Sequence, residues 1–127
     1  MNRDNTPMLN SSTDNLLKSL GKLYQEAKFQ DGIESLLKNK DKLSPQEFHY
    51  FLGNFYLKMN QFEKAESYYT KAIEINPKRS AKIYKNRAYL KEKQNKNSEA
   101  KDDLKNYLKY FPRAPDRGVI EQAVREL

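Results

Sequence analysis

Apolar residues recur along this chain at spacings of three and four, which is the periodicity of one face of an α-helix. Turn signals divide the pattern into short segments. Ser44-Pro45 combines an N-cap residue with proline at the first helical position, and Asn76-Pro77 ends a helix because the residue before proline avoids the α region. The pattern predicts seven helices and no strand, near residues 14–28, 30–42, 45–59, 62–75, 80–94, 98–111 and 116–127.

The two ends of the chain carry different patterns. Residues 1–13 are polar, contain Pro7 and finish in Ser-Ser-Thr, which predicts a flexible tail ahead of a single domain over residues 14–127. The last predicted helix has an apolar face, whose members are Val119, Ile120, Ala123, Val124 and Leu127.

The helix pairs also repeat at a nearly constant spacing. A shift of 33 residues places the first pair on the second, and a shift of 35 places the second on the third, with Tyr69 on Leu104. The front half of the third pair aligns better at 33, which puts Asn86 at the position of Gly53. This mismatch predicts about two extra residues in the internal turn of the third pair, around 94–97.

The second pair resembles the tetratricopeptide repeat family, whose period is about 34 residues. The resemblance implies a right-handed α-solenoid of three repeats near 14–45, 46–79 and 80–113, with the helix at 116–127 as a solvating cap. An antiparallel bundle is the alternative, but bundles do not repeat at fixed spacing. The matching residues of the second pair are Leu52, Gly53, Tyr56, Phe62, Ala65, Tyr69, Ala72 and Pro77.

The resemblance implies a binding surface as well. In this family the first helices of successive repeats line a concave groove that binds extended or helical peptides of partners. Asn54, Lys82 and Asn86 resemble part of a set with which some members clamp a terminal carboxylate, but the first repeat has no matching Lys–Asn pair. By position, the groove residues implied here are Leu17, Gly21, Tyr24, Glu47, Tyr50, Asn54, Leu57, Lys58, Lys82, Lys85, Asn86 and Tyr89.

The helix predicted at 45–59 is apolar on nearly every side, because Tyr50, Phe51 and Leu57 lie outside its core stripe. A helix of this kind is usually buried all round. Either flanking helices and the tail cover it, or it presents an aromatic surface to a partner segment or to a second copy of the chain.

Composition excludes several kinds of chemistry. The 127 residues include no cysteine and one histidine, so disulfide frameworks, thiol nucleophiles, zinc fingers and multi-histidine metal sites are excluded. His49 has no Ser or Cys partner in a recognisable motif and is interpreted as a packing or surface residue. The sequence therefore predicts no enzyme, no catalytic residue, no metal and no cofactor.

The net charge of +7 is placed unevenly. The segment from Pro77 to Arg113 has 12 basic and 4 acidic residues, a net charge of +8. A solvated surface is the favoured interpretation, followed by an acidic protein partner and then by nucleic acid. The acids of this segment, among them Glu99, Asp102 and Asp103, are predicted to lie on solvated helix faces.

These observations predict a non-enzymatic protein–protein interaction module that binds a peptide or helix of another protein. One alternative is a small chaperone or assembly factor for a secreted or envelope protein, since the chain resembles the three-repeat translocator chaperones of bacterial secretion systems. Another is a scaffold that forms homodimers through helix 45–59 or the cap helix. Nucleic acid is a less favoured partner. No apolar run is long enough for a membrane span, and a cytoplasmic location is expected, or a periplasmic one if a signal segment was removed.

Overall fold

The computed structural model describes the backbone of residues 5–127 and the side chains of residues 12–127. Within that part every regular element is helical, which confirms the predicted all-α class with seven α-helices. Two 3₁₀ turns, Lys40–Lys42 and Pro77–Arg79, lead into the third and fifth helices. The helices are α1 (Asn5–Gln25), α2 (Phe29–Lys38), α3 (Pro45–Lys58), α4 (Phe62–Ile75), α5 (Ala81–Lys93), α6 (Asn97–Tyr110) and α7 (Arg117–Glu126).

The first helix is longer than the sequence predicted. It begins at Asn5, so the prediction of a tail is wrong for residues 5–13, while residues 1–4 lie outside the described part of the chain. Pro7 permits the early start because it falls in the first turn, where a backbone N–H has no intrahelical partner. The hydroxyl of Thr13 donates to the carbonyl oxygen of Lys42 at 3.1 Å, which ties this helix to the connection before α3.

The start of α3 matches the sequence prediction. The backbone N–H of Glu47 donates to Ser44 Oγ at 3.1 Å, and the Ser44 N–H donates to Glu47 Oε1 at 3.1 Å. These two bonds form a capping box, with Pro45 in the first helical position.

The three internal turns share one backbone conformation. Ala27, Asn60 and Asn95 have φ values of 59°, 59° and 63°, and each lies two residues before the second helix of its pair. Asparagine tolerates this left-handed region, whereas alanine is strained there. Because the turns are 33 and then 35 residues apart, the two extra residues lie in α4 and its connection to α5. The prediction of an insertion around 94–97 is therefore wrong.

Burial gives the same register for the third pair. Three of the four buried residues of α3 have a buried counterpart in α5 35 residues later, with Phe48 corresponding to Ile83 and Phe55 to Leu90. Ala88, which is 1% exposed, therefore corresponds to Gly53, and the alignment of Asn86 with Gly53 is wrong. Side-chain size explains the misalignment, since the position requires a small residue and the third pair, with Leu104 in place of Tyr69, has alanine there instead of glycine.

The core has two parts that meet along α3. One joins α1, α2 and α3, and the other extends from α4 to α7. Small residues allow close helix contact in both. A Cβ on Gly53 would lie 2.5 Å from a ring carbon of Tyr69, and a Cβ on Gly32 would overlap the ring of Phe55.

The cap helix α7 packs on α6 through Ile120, with Ala123, Val124 and Leu127 partly buried against the same core. Val119 is 70% exposed and does not belong to the apolar face that the sequence predicted. Ile120, Ala123, Val124 and Leu127 fall within an arc of about 100° around the helix, and Val119 lies beyond one edge of that arc.

Candidate functional site

A cavity of about 510 Å³ opens between α1, α3 and α5, the first helices of the three pairs. The structure brings nine of the twelve residues of the predicted groove into its lining. These nine are Leu17, Gly21, Tyr24, Tyr50, Asn54, Leu57, Lys58, Asn86 and Tyr89.

The walls of the groove are aromatic and aliphatic. The Tyr24 ring packs edge-on against Phe55 with centroids 5.6 Å apart, and the Lys58 ammonium lies 5.6 Å from the centroid of the same tyrosine. Gly21 faces open space, since a Cβ built on it meets no heavy atom within 4 Å. Tyr89, at the opposite wall, is 53% exposed. A bound segment could therefore contact rings on both sides of the groove.

The floor of the groove is polar and ordered. The hydroxyl of Tyr69 donates to Asn54 Oδ1 at 2.5 Å, and Asn86 Nδ2 donates to the same oxygen at 3.0 Å. Asn86 Nδ2 also contacts the Tyr50 hydroxyl oxygen at 3.4 Å. Burial raises the pKa of Tyr69, so this phenol stays protonated and keeps donating.

This arrangement leaves two amide groups available to a ligand. The carbonyl oxygen of Asn54 accepts two hydrogen bonds, so the unused groups are the Asn54 NH₂ donors and the Asn86 carbonyl oxygen. Neither has a hydrogen-bond partner among residues 12–127. A donor next to an acceptor is the pair that one peptide unit requires.

Three residues of the predicted groove lie elsewhere. Glu47 and Lys82 line a second cavity on the far side of Tyr50. Lys85 lines neither cavity, because its ammonium donates to Asp116 Oδ2 at 2.5 Å. Asp116 also accepts from the Tyr107 hydroxyl at 2.6 Å, so Lys85 anchors the start of α7 instead of reaching a ligand.

The contacts among Lys85, Asp116 and Tyr107 shift the pKa values of Asp116 and Tyr107. Hydrogen bonds from Lys85 and Tyr107 hold the pKa of Asp116 below its ordinary value. Burial, together with the bond to Asp116, raises the pKa of Tyr107 to about 12. Asp116 therefore stays ionised and Tyr107 stays protonated across the physiological range, and their contacts with Lys85 hold α7 against α5 and α6.

The sequence did not identify every residue of the groove. Gln25, Leu20 and Phe55 also line the cavity, although the sequence did not select them. No sequence signal distinguishes Gln25 from other exposed polar residues near a helix end. Phe51, which the pattern placed outside the core stripe of α3, lines the groove beside Tyr50. The flanking helices therefore cover α3 only in part.

The third pair contains buried charges where solvated ones were predicted. Asp103 is 2% exposed and accepts two hydrogen bonds from Arg87, at 2.7 and 2.8 Å. Its carboxylate also lies 3.1 Å from the ammonium of Lys91, which is 6% exposed, and Arg87 donates to Thr70 Oγ1 at 3.1 Å. The prediction of a solvated Asp103 is therefore wrong. Helical periodicity cannot distinguish a paired buried charge from an exposed one.

Arg87 retains its charge in this environment. Burial acts to lower its pKa, but the hydrogen bonds and charge of Asp103 raise it, and the net direction is upward. The guanidinium also lies 5.7 Å from the centroid of Tyr84. These contacts make the cluster a structural junction between α4, α5 and α6.

Other candidate chemistry is limited. His49 Nδ1 lies 2.7 Å from the carbonyl oxygen of Pro45 and its ring packs beside Phe48 and Tyr68. Among the described residues no group of three or more His, Asp or Glu side chains could hold a metal ion. None of the helices in the described part of the chain combines the length and the hydropathy that crossing a bilayer requires.

Comparison with known proteins agrees with this architecture. Residues 47–79 match the sequence profile of the tetratricopeptide repeat, as the spacing of the second pair predicted. A curated relative, protein O-mannosyl-transferase tmtc2 of Xenopus laevis, is 32% identical over 72 residues. The match covers 53% of this chain and 9% of that protein, so the chain spans under a tenth of that relative's length.

Solved structures share the fold over most of the chain. The Yersinia enterocolitica type III secretion chaperone SycD, in complex with a peptide of the translocator YopD, has a TM-score of 0.74 at 16% identity, covering 91% of this chain and 88% of SycD. The Arabidopsis OM64 tetratricopeptide domain has a TM-score of 0.74 at 18% identity, covering 93% and 98% of the two chains. The second tetratricopeptide domain of human RPAP3, in complex with an HSP70 peptide, has a TM-score of 0.71 at 20% identity, covering 87% of this chain and 92% of the RPAP3 chain.

Proposed function

We propose that this chain, which carries a tetratricopeptide repeat and has the fold of tetratricopeptide domains, is a non-enzymatic interaction module. It binds a peptide segment of another protein in the groove between α1, α3 and α5. The observation that carries the proposal is the composition of that groove, where aromatic and aliphatic walls enclose the unused amide groups of Asn54 and Asn86.

Each part of the groove matches a part of a peptide. The NH₂ group of Asn54 donates to a backbone carbonyl of the ligand, and the carbonyl of Asn86 accepts from a backbone N–H. The walls around Tyr24 and Leu57 take apolar side chains of the segment. Because Tyr69 already fixes Asn54, little ordering is required of the protein when it binds.

Structures of the same fold support this proposal. SycD was solved with a peptide of YopD, and the RPAP3 domain with a peptide of HSP70. Identity to either is at most 20%, so the comparison supports peptide binding as a mode and does not identify the peptide.

Gly21 provides a test that leaves the core intact. A Gly21→Gln variant places a side chain in the groove without meeting another heavy atom near its Cβ, and it replaces a poor helix former. Gly118→Gln is the matched control, because Gly118 is also helical and unobstructed but lies on α7 outside the groove.

Peptides selected from a displayed random library against the wild-type protein are then measured by fluorescence anisotropy. We expect Gly21→Gln to weaken binding about tenfold or more, and Gly118→Gln to leave it unchanged. NMR titration with the same peptides should shift the amide signals of Asn54 and Asn86. If the selected peptides bind both variants equally, the groove is not the binding site.

A chaperone or assembly factor is a narrower form of the same proposal. The similarity of this fold to SycD across nearly all of both chains favours it as the second candidate. A chaperone would keep an aggregating client soluble, and Gly21→Gln would remove that effect in a light-scattering assay. Sedimentation at several concentrations tests the scaffold alternative, because a monomer at every concentration excludes a homodimer through α3 or α7.

A further inference from the structure

A second cavity, of about 400 Å³, lies across Tyr50 from the peptide groove. It is formed by the start of α3, the 3₁₀ turn before α5, the first turn of α5 and the end of α6. Three cationic side chains, Lys78, Arg79 and Lys82, lie along its rim. We call this cavity the basic cleft.

The cations of the rim are exposed and unmatched. Among the side chains of residues 12–127 no carboxylate lies within 4.0 Å of Lys78, Arg79 or Lys82. Glu47 is the one acidic residue of the lining, and its carboxylate already accepts from the N-cap of α3. The lining thus keeps an excess of positive charge.

Four of the nine other cations of residues 77–113 have acidic partners among the described side chains. Arg87 and Lys91 surround Asp103, Lys85 pairs with Asp116, and Lys96 pairs with Glu66. Part of the net +8 of residues 77–113 is therefore used inside the fold, and a concentrated part of the remainder lies on the rim.

The floor of the basic cleft is apolar. Ile83 is buried, and the Tyr110 ring stacks on Tyr84 with centroids 5.9 Å apart. Phe111 is the C-cap residue of α6 and remains 38% exposed. An apolar floor inside a cationic rim matches a segment whose carboxylates flank one aliphatic or aromatic side chain.

We propose that the basic cleft binds an acidic segment of a partner protein, with an apolar side chain between its carboxylates. The cations bind the carboxylates, and the Phe111 ring contacts the apolar side chain. Nucleic acid is less favoured, because single strands bind along rows of aromatic rings in a long basic channel, and this short cleft offers one exposed ring. The proposal goes beyond the peptide groove, with which the cleft shares Tyr50 alone.

The probes are a fluorescent peptide of alternating Glu and Ser with one central Phe, and its counterpart with Gln in place of Glu. Oligo-dT serves as the nucleic-acid probe. We expect the Glu peptide to bind about tenfold more tightly than the Gln peptide at low ionic strength, with the difference falling as salt is added. Equal binding of the two peptides would overturn the proposal.

The variant Lys78→Glu/Arg79→Glu/Lys82→Glu reverses the rim. Its control reverses three exposed lysines that line neither cavity, as Lys22→Glu/Lys38→Glu/Lys105→Glu, with the same change in net charge. We expect the rim variant to lose binding about tenfold or more and the control about twofold at most. An equal loss of binding in the two variants would show that binding depends on net charge and would overturn the proposal for the basic cleft.

Two further measurements separate the alternatives. Oligo-dT binding as tight as that of the Glu peptide, and lost in the rim variant, would assign the cleft to nucleic acid. Gly21→Gln should retain the Glu peptide, which keeps this result separate from failure of the groove proposal. Loss of the Glu peptide in Gly21→Gln would place it in the groove and overturn the assignment to the cleft.

Discussion

The second and third helix pairs have helices of similar length and the same internal turn but different interiors. In the second pair, α3 and α4 meet where Gly53 accepts the ring of Tyr69, and the rings of Tyr56 and Tyr68 stack with centroids 5.5 Å apart at 7°. In the third pair, Ala88 stands at the position of Gly53 and Leu104 at the position of Tyr69. The positions of Leu52, Tyr56 and Tyr68 correspond, 35 residues later, to Arg87, Lys91 and Asp103.

The difference shows that the architecture accepts two chemistries for one layer. Apolar packing needs a close fit of shapes, whereas buried charges need every partner in place. The third pair meets the second condition through two bonds from Arg87 to Asp103, the contact with Lys91 and the bond to Thr70. Four predictions test this comparison.

The largest effect should follow removal of the buried carboxylate. Asp103→Ala removes the carboxylate shared by the buried Lys91 and the partly buried Arg87, and only the exposed Glu99, 3.6 Å from Lys91, remains nearby, so we expect a loss of about 3–5 kcal/mol in the free energy of unfolding. Urea denaturation followed by circular dichroism measures this value. Asp102→Ala, at the exposed neighbouring position, should cost under about 0.5 kcal/mol. Equal small losses in both variants would show that the charged cluster contributes little.

The close approach in the second pair should be the next most sensitive feature. Gly53→Ala forces a Cβ against the fully buried ring of Tyr69, and we expect a loss of about 2 kcal/mol. Adding Tyr69→Leu reproduces the Ala88 and Leu104 pair of the third repeat, so the double variant should lose less than the sum of the single variants. Additive losses in the double-mutant cycle would contradict the steric explanation.

Exchange of one chemistry for the other should have a smaller effect. The variant Arg87→Leu/Lys91→Tyr/Asp103→Tyr gives the third pair the corresponding residues of the second. Since apolar residues can replace a buried ion cluster, we expect stability within about 1 kcal/mol of wild type. Thermal and urea denaturation check this. A loss as large as that of Asp103→Ala would show that the third pair requires its charges.

The smallest effect concerns the polar attachment of α7. Asp116→Asn removes the charge that Lys85 and Tyr107 bind, at a partly exposed site, and should cost about 1 kcal/mol or less at neutral pH. Because the fold lowers the pKa of Asp116 below 3.8, its contribution is present above that pH and is lost as pH falls through the folded value. The stability difference from wild type should therefore vanish in acid. A difference that persists there would exclude charge as its cause.

Sequence reasoning was reliable where a single local signal was sufficient. Capping and proline signals placed α3 and the end of α4, and the spacing of the second pair identified its repeat. It was less reliable where two signals competed. The start of α1 was missed because Pro7 can either end a tail or occupy a first turn. The register of the third pair was missed because the small residue that corresponds to Gly53 is an alanine, Ala88, and no glycine marks the position.

The candidate groove was predictable by position but not by chemistry. The sequence selected Asn54 and Asn86, whereas their shared oxygen and their unused amide groups depend on the distance between α3 and α5. It also grouped Lys85 with Lys82. The two lysines differ because Asp116, at the start of α7, binds Lys85, whereas Lys82 lines the basic cleft.

The sequence by itself determined an all-α chain and its repeating helix pairs. These follow from local rules, because periodicity, caps and prolines act within a few residues. The tertiary structure decided which charges are buried, which are paired and which remain on the rim of the basic cleft. Pairing depends on residues distant in the chain, such as Arg87 and Asp103 or Lys85 and Asp116. A local sequence pattern does not show which of these residues meet in the fold.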